Sequence, residues 1–227
     1  MANLAHPRTQ PGGDPSMFVI NSGEPSFVFE NRRRALGIVY DEGDINGEFG
    51  DFDNDMDLDL VVASLYPNHY SKFYRNDGDV FTDVTYETGT AVHVGVSAVW
   101  SDVDEDGDLD LVIGGGDPAG AHLFMNRVGQ KNHWVEFRLQ GTTSNRGGVG
   151  ARVTLTAGGV TQMRDVVGGG GQSNTQNSAV VHFGLGANTA IDTLTVRWVG
   201  GATETISGAT ADGRFRIVEG SGEVTPL

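Results

Sequence analysis

Aspartate recurs at every second position in two nine-residue stretches of this chain. The first is Asp51-Phe52-Asp53-Asn54-Asp55-Met56-Asp57-Leu58-Asp59, and the second is Asp102-Val103-Asp104-Glu105-Asp106-Gly107-Asp108-Leu109-Asp110. Carboxylates held this close repel one another unless a cation sits among them. A hard cation wrapped by a loop needs oxygen at alternate positions, and Ca²⁺ accepts about six to eight oxygens at roughly 2.3–2.6 Å. About two Ca²⁺ ions are therefore expected. The ligands would be Asp51, Asp53, Asp55, Asp57 and Asp59 in one site, and Asp102, Asp104, Asp106, Asp108 and Asp110 in the other. Asp57 and Asp108 would serve through their backbone carbonyls. An acidic solvated turn without metal is the weaker reading, because it leaves the regular like-charge spacing unexplained.

An EF-hand would need a bidentate Glu at the twelfth position and a helix on each side. Val62 and Ile113 stand there instead, and the apolar runs Leu60-Val61-Val62 and Leu111-Val112-Ile113 read as strands. The aspartate at position nine must then close each shell. Gly107 occupies the sixth position of the second loop, where a tight turn favours positive φ. Met56 stands there in the first, at a cost on the order of 1 kcal/mol. The second loop is expected to bind more tightly.

The elements that hold these loops repeat. The loops begin 51 residues apart, at Asp51 and Asp102. Phe73-Tyr74-Arg75-Asn76-Asp77-Gly78, followed by Phe81-Thr82-Asp83-Val84, has a counterpart in Phe18-Val19-Ile20-Asn21-Ser22-Gly23 followed by Phe27-Val28-Phe29. A third copy starts at Leu123-Phe124-Met125-Asn126 and stops. Each unit reads as strand, Asn/Gly turn, strand, then a strand ending in Phe49 or Trp100, the acidic loop and another strand. Four short strands per repeat suit a propeller blade or a similar radial β repeat. The pattern Asn-x-Gly, Phe, then Asp-x-Asp-x-Asp-Gly-x-x-Asp-Leu resembles the FG-GAP/VCBS repeat of integrin-α-like β-propellers over roughly Phe18 to Gly116. The first unit departs from it at Met56 and at Asp41-Glu42-Gly43-Asp44.

Beyond about Asn132 the texture changes. Asn132 to Leu139 alternates like a strand, and Gly150 to Leu155 with Val160 to Val167 reads as a hairpin about Gly158-Gly159. Ala179 to Gly186, Leu194 to Trp198 and Arg214 to Val218 are further strands, so a small antiparallel β-sandwich is expected. Asn132-His133-Trp134, Ser144-Asn145-Arg146, Gly150-Ala151-Arg152-Val153, His182 to Gly186 and Val196-Arg197-Trp198 together resemble the ASPIC/UnbV domain of cartilage-acidic-protein-like secreted proteins. Val199-Gly200-Gly201 replaces that family's usual Pro-x-Gly. The resemblance implies an extracellular calcium-binding architecture and gives the C-terminal domain no biochemical role of its own. The expected fold is thus all-β: two propeller-blade-like calcium-binding repeats followed by the sandwich. The expected division is a disordered or linker N-terminus over 1–16, repeats over 17–128, an ASPIC/UnbV-like domain over 129–220 and a tail over 221–227.

Composition narrows the function. The 227 residues carry a formal charge of −15, with most of the acid between Asp41 and Asp110. Such a surface argues against nucleic acid or an anionic membrane as partner, and no apolar run approaches a membrane span. Cysteine is absent, which excludes disulfides, thiolate metal sites and a cysteine nucleophile. Met1 to Asp14 lacks the apolar core of a signal peptide, yet such loops fill best outside the cytosol. An extracellular or periplasmic location is expected, with the export signal lost upstream.

The other candidate groups are quieter. His69, His93, His122, His133 and His182 are never at ligand spacing and read as structural or surface residues. Trp100, Trp134 and Trp198 sit in strand patterns and read as core. Asp44, Asn46 and Glu48 alternate, but fall on the strand that corresponds to Gly95 to Val99, so strand outweighs a third metal site there. The glycine run from Gly168 follows a strand but opens no helix, so it is no phosphate cradle. Arg32-Arg33-Arg34, the basic cluster, offsets nearby acid. No nucleophile elbow, metalloprotease motif or catalytic carboxylate pair stands outside the loops.

A non-enzymatic, extracellular calcium-binding module in adhesion or ligand recognition is therefore expected, with calcium stabilising the repeats and a protein or glycan as partner. The rivals are a calcium-dependent polysaccharide lyase or hydrolase, and a structural spacer of a longer secreted protein. Propellers close with about four to eight blades, and two are present. The chain is expected to belong to a longer propeller, to self-associate, or to pack its repeats on the sandwich near Asn126 to Trp134. Metal removal is expected to loosen Phe18 to Gly116 more than the C-terminal region.

Overall fold

The computed structural model describes residues 17–23, 25–39, 43–115, 120–169 and 175–227. The proposed linker 1–16, Asp41 and Glu42 of the unusual turn, and Gly170 to Asn174 of the glycine run lie outside these. Among the described residues the fold is all-β, with small sheets arranged like part of a propeller and followed by a sandwich.

A two-stranded ribbon, β1 (Val19–Asn21) with β2 (Phe29–Asn31), comes first. The first blade is an antiparallel meander of β3 (Asp44–Gly50), β4 (Asp59–Ser64), β5 (Lys72–Asn76) and β6 (Phe81–Asp83). A single helical turn, α1 (Thr85–Thr88), leads to the second blade. That blade has three strands: β7 (Gly95–Ser101), β8 (Asp110–Gly115) and β9 (Ala121–Phe124). The chain leaves it through a 3-10 turn at Gly129–Lys131, which is where the third sequence copy breaks off.

Strand periodicity explains how the blades stack. In β4, Val61 and Ala63 are fully buried, and Val61 meets Phe73, Ala98, Trp100, Leu111 and Ile113 in a core between the blades. The alternate residue Leu60 faces the other way, packing with Ile38, Tyr74 and Phe81 beneath Phe18 and Leu36. The blades also meet at their first strands, where Asn46 Oδ1 accepts the Ala98 N–H at 3.0 Å. Asp44, Asn46 and Glu48 thus lie on β3, as aligning Phe49 with Trp100 requires.

The sandwich comprises β10 (His133–Gln140), β11 (Arg152–Ala157), β12 (Val160–Asp165), β13 (Val180–Gly186), β14 (Thr193–Arg197), β15 (Thr203–Thr205), β16 (Gly213–Val218) and β17 (Val224–Pro226). Its sheets run β13-β10-β16-β17 and β12-β11-β14-β15. Val135, Phe137, Phe183, Leu185 and Ile217 from one sheet meet Val153, Leu155 and Val196 from the other, all of them fully buried. Two features depart from expectation. β10 and β16 pair in parallel, from Val135↔Gly213 to Gln140↔Val218, because β16 returns from the far sheet and not through a hairpin. The segment 221–227, expected to be a tail, supplies β17, which pairs with β16.

The outward face of the first sheet does not meet solvent throughout. Between the core residues of β13, β10 and β16 alternate His182 and Gly184, Trp134 and Glu136, and Arg214. Glu136 stands opposite His182 on one side and Arg214 on the other. Both acidic loops rest on this row.

Candidate metal centres

Each acidic loop joins the first two strands of its blade, and the two share one set of hydrogen bonds. Asp51 Oδ2 accepts the Met56 N–H at 3.1 Å, and Asp102 Oδ2 accepts the Gly107 N–H at 3.0 Å. Asp55 Oδ1 accepts the Asp57 N–H at 2.9 Å, and Asp106 Oδ1 the Asp108 N–H at 3.1 Å. Asp59 Oδ2 caps the Phe52 N–H at 3.0 Å, as Asp110 Oδ2 caps Val103 at 2.8 Å. The fourth and sixth residues of both loops are left-handed: Asn54 (φ 59°) and Met56 (φ 86°), Glu105 (φ 64°) and Gly107 (φ 91°). Met56 therefore adopts the backbone that glycine takes in the second loop.

Asparagine ties each loop to the next strand. Asn76 donates its N–H to Asp59 Oδ1 at 2.8 Å and its Nδ2 to the Leu58 carbonyl at 3.2 Å. Asn126 repeats both bonds, to Asp110 Oδ1 at 2.7 Å and to the Leu109 carbonyl at 3.1 Å. Their Oδ1 atoms accept from Gly78 and Val128, as Asn21 Oδ1 does from Gly23. The repeated element of the sequence, Phe73 to Asn76 and its third copy Leu123 to Asn126, is the signal for these struts.

Carboxylate oxygens of Asp51, Asp53 and Asp59 lie within 4.8 Å of one another, as do those of Asp102, Asp104 and Asp106. Either group could hold a metal ion. Asp55 and Asp57 are exposed at the rim of the first loop. Asp110 is buried beneath the second, both its oxygens accepting backbone N–H groups. The Asp108 side chain is buried and turned toward the first loop.

Burial makes these carboxylates costly as anions. It pushes Asp51 up to about 8, with repulsion from Asp55 adding and the Arg164 charge opposing. Asp59 is likewise pushed up to about 8, mainly by burial. Asp53 reaches about 6 through burial and the charge of Asp55, and Asp108 about 7 through burial and Asp106. Asp51 Oδ1 and Asp53 Oδ1 are shut off from solvent and have no hydrogen-bond partner. A bare cation is small enough to satisfy them, and its charge would reverse the repulsion. The donor set is oxygen alone, which suits a hard ion such as Ca²⁺.

Several residues of this region are given no part in the loops by the sequence. Asn54, fully buried, extends Nδ2 into the second loop, 3.1 Å from the Gly107 carbonyl, 3.2 Å from Asp108 Oδ1 and 3.3 Å from the Gly129 carbonyl. His182 donates from Nε2 to the Gly107 carbonyl at 3.0 Å, and burial lowers its pKa to about 4, so the ring is neutral. Arg214 bridges Glu105 at 2.6 Å and the buried Glu136 at 2.8 Å. Asn132 Nδ2 donates to the Asp53 carbonyl at 2.9 Å. Trp100 and Trp198 are core, as expected, whereas Trp134 lies against Gly107. A cleft of about 310 Å³ lies beside the loops, bounded by Phe49, Asp51, Trp100, Glu136, Arg164 and His182 among others.

Two known families match parts of the chain. The sequence model of the FG-GAP-like repeat family matches residues 51–113, which span both acidic loops. The model described as ASPIC and UnbV matches residues 141–224, within the sandwich. No curated protein matches the chain. The chain carries an FG-GAP-like repeat followed by an ASPIC and UnbV domain, in that order.

Proposed function

We propose that this β-repeat module binds two Ca²⁺ ions, and that the ions hold its blades in place without taking part in catalysis. The observation that carries the reading is the pair of buried, unpartnered oxygens Asp51 Oδ1 and Asp53 Oδ1 within a cluster of carboxylates. Buried polar atoms are nearly always satisfied, and an ion among these would satisfy both. An ion bound by the folded form alone adds roughly 4 kcal/mol per site when present at a thousandfold its dissociation constant. Ca²⁺ is redox-silent and a poor activator of water, which favours a scaffold over an enzyme. Loops of this kind fill where Ca²⁺ is abundant, so the module works outside the cytosol, in adhesion or recognition of an extracellular protein or glycan.

Calorimetric titration of the chelator-treated chain tests the ion assignment. Two binding events are expected, and Asp104→Ala should remove one while leaving the other. A silent titration, or Zn²⁺ displacing Ca²⁺ at both sites, would overturn it. The recognition role is tested by glycan-array and surface-protein binding with and without chelator, where no calcium-dependent ligand would count against it.

A further inference from the structure

The ASPIC and UnbV sandwich touches both acidic loops at the same two positions. In the first loop, the Gly186 N–H donates to the carbonyl of Asn54, the fourth residue, at 2.8 Å. Met56, the sixth, packs against the hydrophobic core of the sandwich, with Asn188 Nδ2 at 3.5 Å from its sulfur. In the second loop, Arg214 pairs with Glu105, the fourth residue, at 2.6 Å. His182 holds the carbonyl of Gly107, the sixth, at 3.0 Å, and Trp134 lies so close that a Cβ on Gly107 would be 1.8 Å from its ring. These four are the left-handed residues of the loops. Three of them are not glycine; asparagine takes this backbone readily, but Met56 and Glu105 have one the chain avoids unless something holds it there.

We infer that the sandwich is the clamp that sets the ion affinity of both loops: the outer face of β13, β10 and β16, together with Asn188 just past β13, grips their fourth and sixth residues and holds the backbone ready for the ion. The inference rests on the calcium reading above and gives the C-terminal domain a role that the loops alone do not. A preorganised site loses less freedom when it binds. The clamp leaves the carboxylates free, because it works through two carbonyls, one apolar side chain and one non-ligand glutamate. It also makes Met56 a contact as well as a departure from the glycine pattern.

Met56→Gly separates the clamp from an autonomous loop, because the two predict opposite signs. A self-sufficient loop would gain about fivefold in affinity when glycine relieves the left-handed backbone. A clamped loop loses the methionine anchor and should weaken several-fold. The titration is made in an Asp104→Ala background, so that the remaining event belongs to the first loop. Gly184→Ala is the second variant, since its Cβ would lie 2.3 Å from Asp51 Oδ2 and 2.5 Å from Asn54 Cα. It should drive the loop from its seat and weaken binding at least about tenfold. Tighter binding by Met56→Gly overturns the clamp, as does unchanged binding by a folded Gly184→Ala chain. If Gly184→Ala fails to fold, the sign for Met56→Gly decides alone. No uptake by the parent chain would instead overturn the calcium reading itself.

Discussion

The side-chain amide of Asn54 lies 3.2 Å from the carboxylate of Asp108, so the fourth residue of one acidic loop is bonded to the seventh of the other. The same Nδ2 reaches the Gly107 and Gly129 carbonyls. One buried amide thus joins the first blade, the second blade and the turn that leads into the sandwich.

Replacing Asn54 with Ala would leave those acceptors without their donor. Buried groups stripped of a partner cost about 1–3 kcal/mol, and Asn54→Ala should destabilise the chain by that order. Denaturant unfolding with excess chelator measures this without any contribution from the ions.

Chelation should loosen more than the repeats. The His182 to Gly186 segment and the start of β10 lie directly on the loops, so their amides should lose protection together with 51–59 and 102–110. The Arg152 to Ala157 strand sits in the far sheet and should keep its protection. Hydrogen exchange with and without chelator resolves these segments, and equal loosening of all of them would contradict the arrangement.

The Phe183 ring meets that of Phe137 edge-on at 6.2 Å between centroids, and the guanidinium carbon of Arg164 lies over it at 5.1 Å. Arg164 is in turn a charge that favours ionised Asp51. Phe183→Ala should cost about 3–5 kcal/mol as a large-to-small change in a packed core. Thermal unfolding of the chelated chain gives the value, and a loss below 1 kcal/mol would mean that the site collapses without a cavity.

Acid should find a particular weak point at Glu219. One of its oxygens accepts the N–H groups of Thr142, Thr143 and Ser144 at 2.7–2.8 Å, and the other accepts the Ser144 hydroxyl at 2.8 Å. The Ser144 backbone bond, with the others, lowers the carboxyl from 4.5 to about 2. Because the folded value lies below the unfolded one, the stabilisation is complete above about pH 4.5 and fades as pH falls toward 2. Glu219→Gln should flatten that part of the stability profile, measured as the difference in midpoint from the parent chain between pH 5 and 2.5.

The sequence shows the loops because their chemistry is local: five aspartates at alternate places need no tertiary partner to be noticed. The strands of the sandwich are legible for the same reason, since Val135-Phe137-Leu139 and Val181-Phe183-Leu185 alternate with polar residues. What the alternation conceals is the fate of the polar half. His182, Glu136 and Arg214 look like solvent-facing residues on three separate strands, and only pairing of β10 with β13 and β16 puts them in one row beneath the loops. The parallel partnership of β10 and β16 is similarly hidden, because strand period carries no direction. Gly184 reads as a plain strand glycine until its missing Cβ proves to be where Asp51 and Asn54 approach.

The seating of loops 51–59 and 102–110 on strands that extend to Val218 also has a temporal consequence. On the ribosome the acidic segments emerge long before β16 exists. At about 5–20 residues per second, the second loop waits several seconds or more for the surface that receives it. Through that interval its aspartates are a mutually repelling stretch in search of counterions. Loops 51–59 and 102–110 reach their seat only when β10, β13 and β16, made after them, dock onto them.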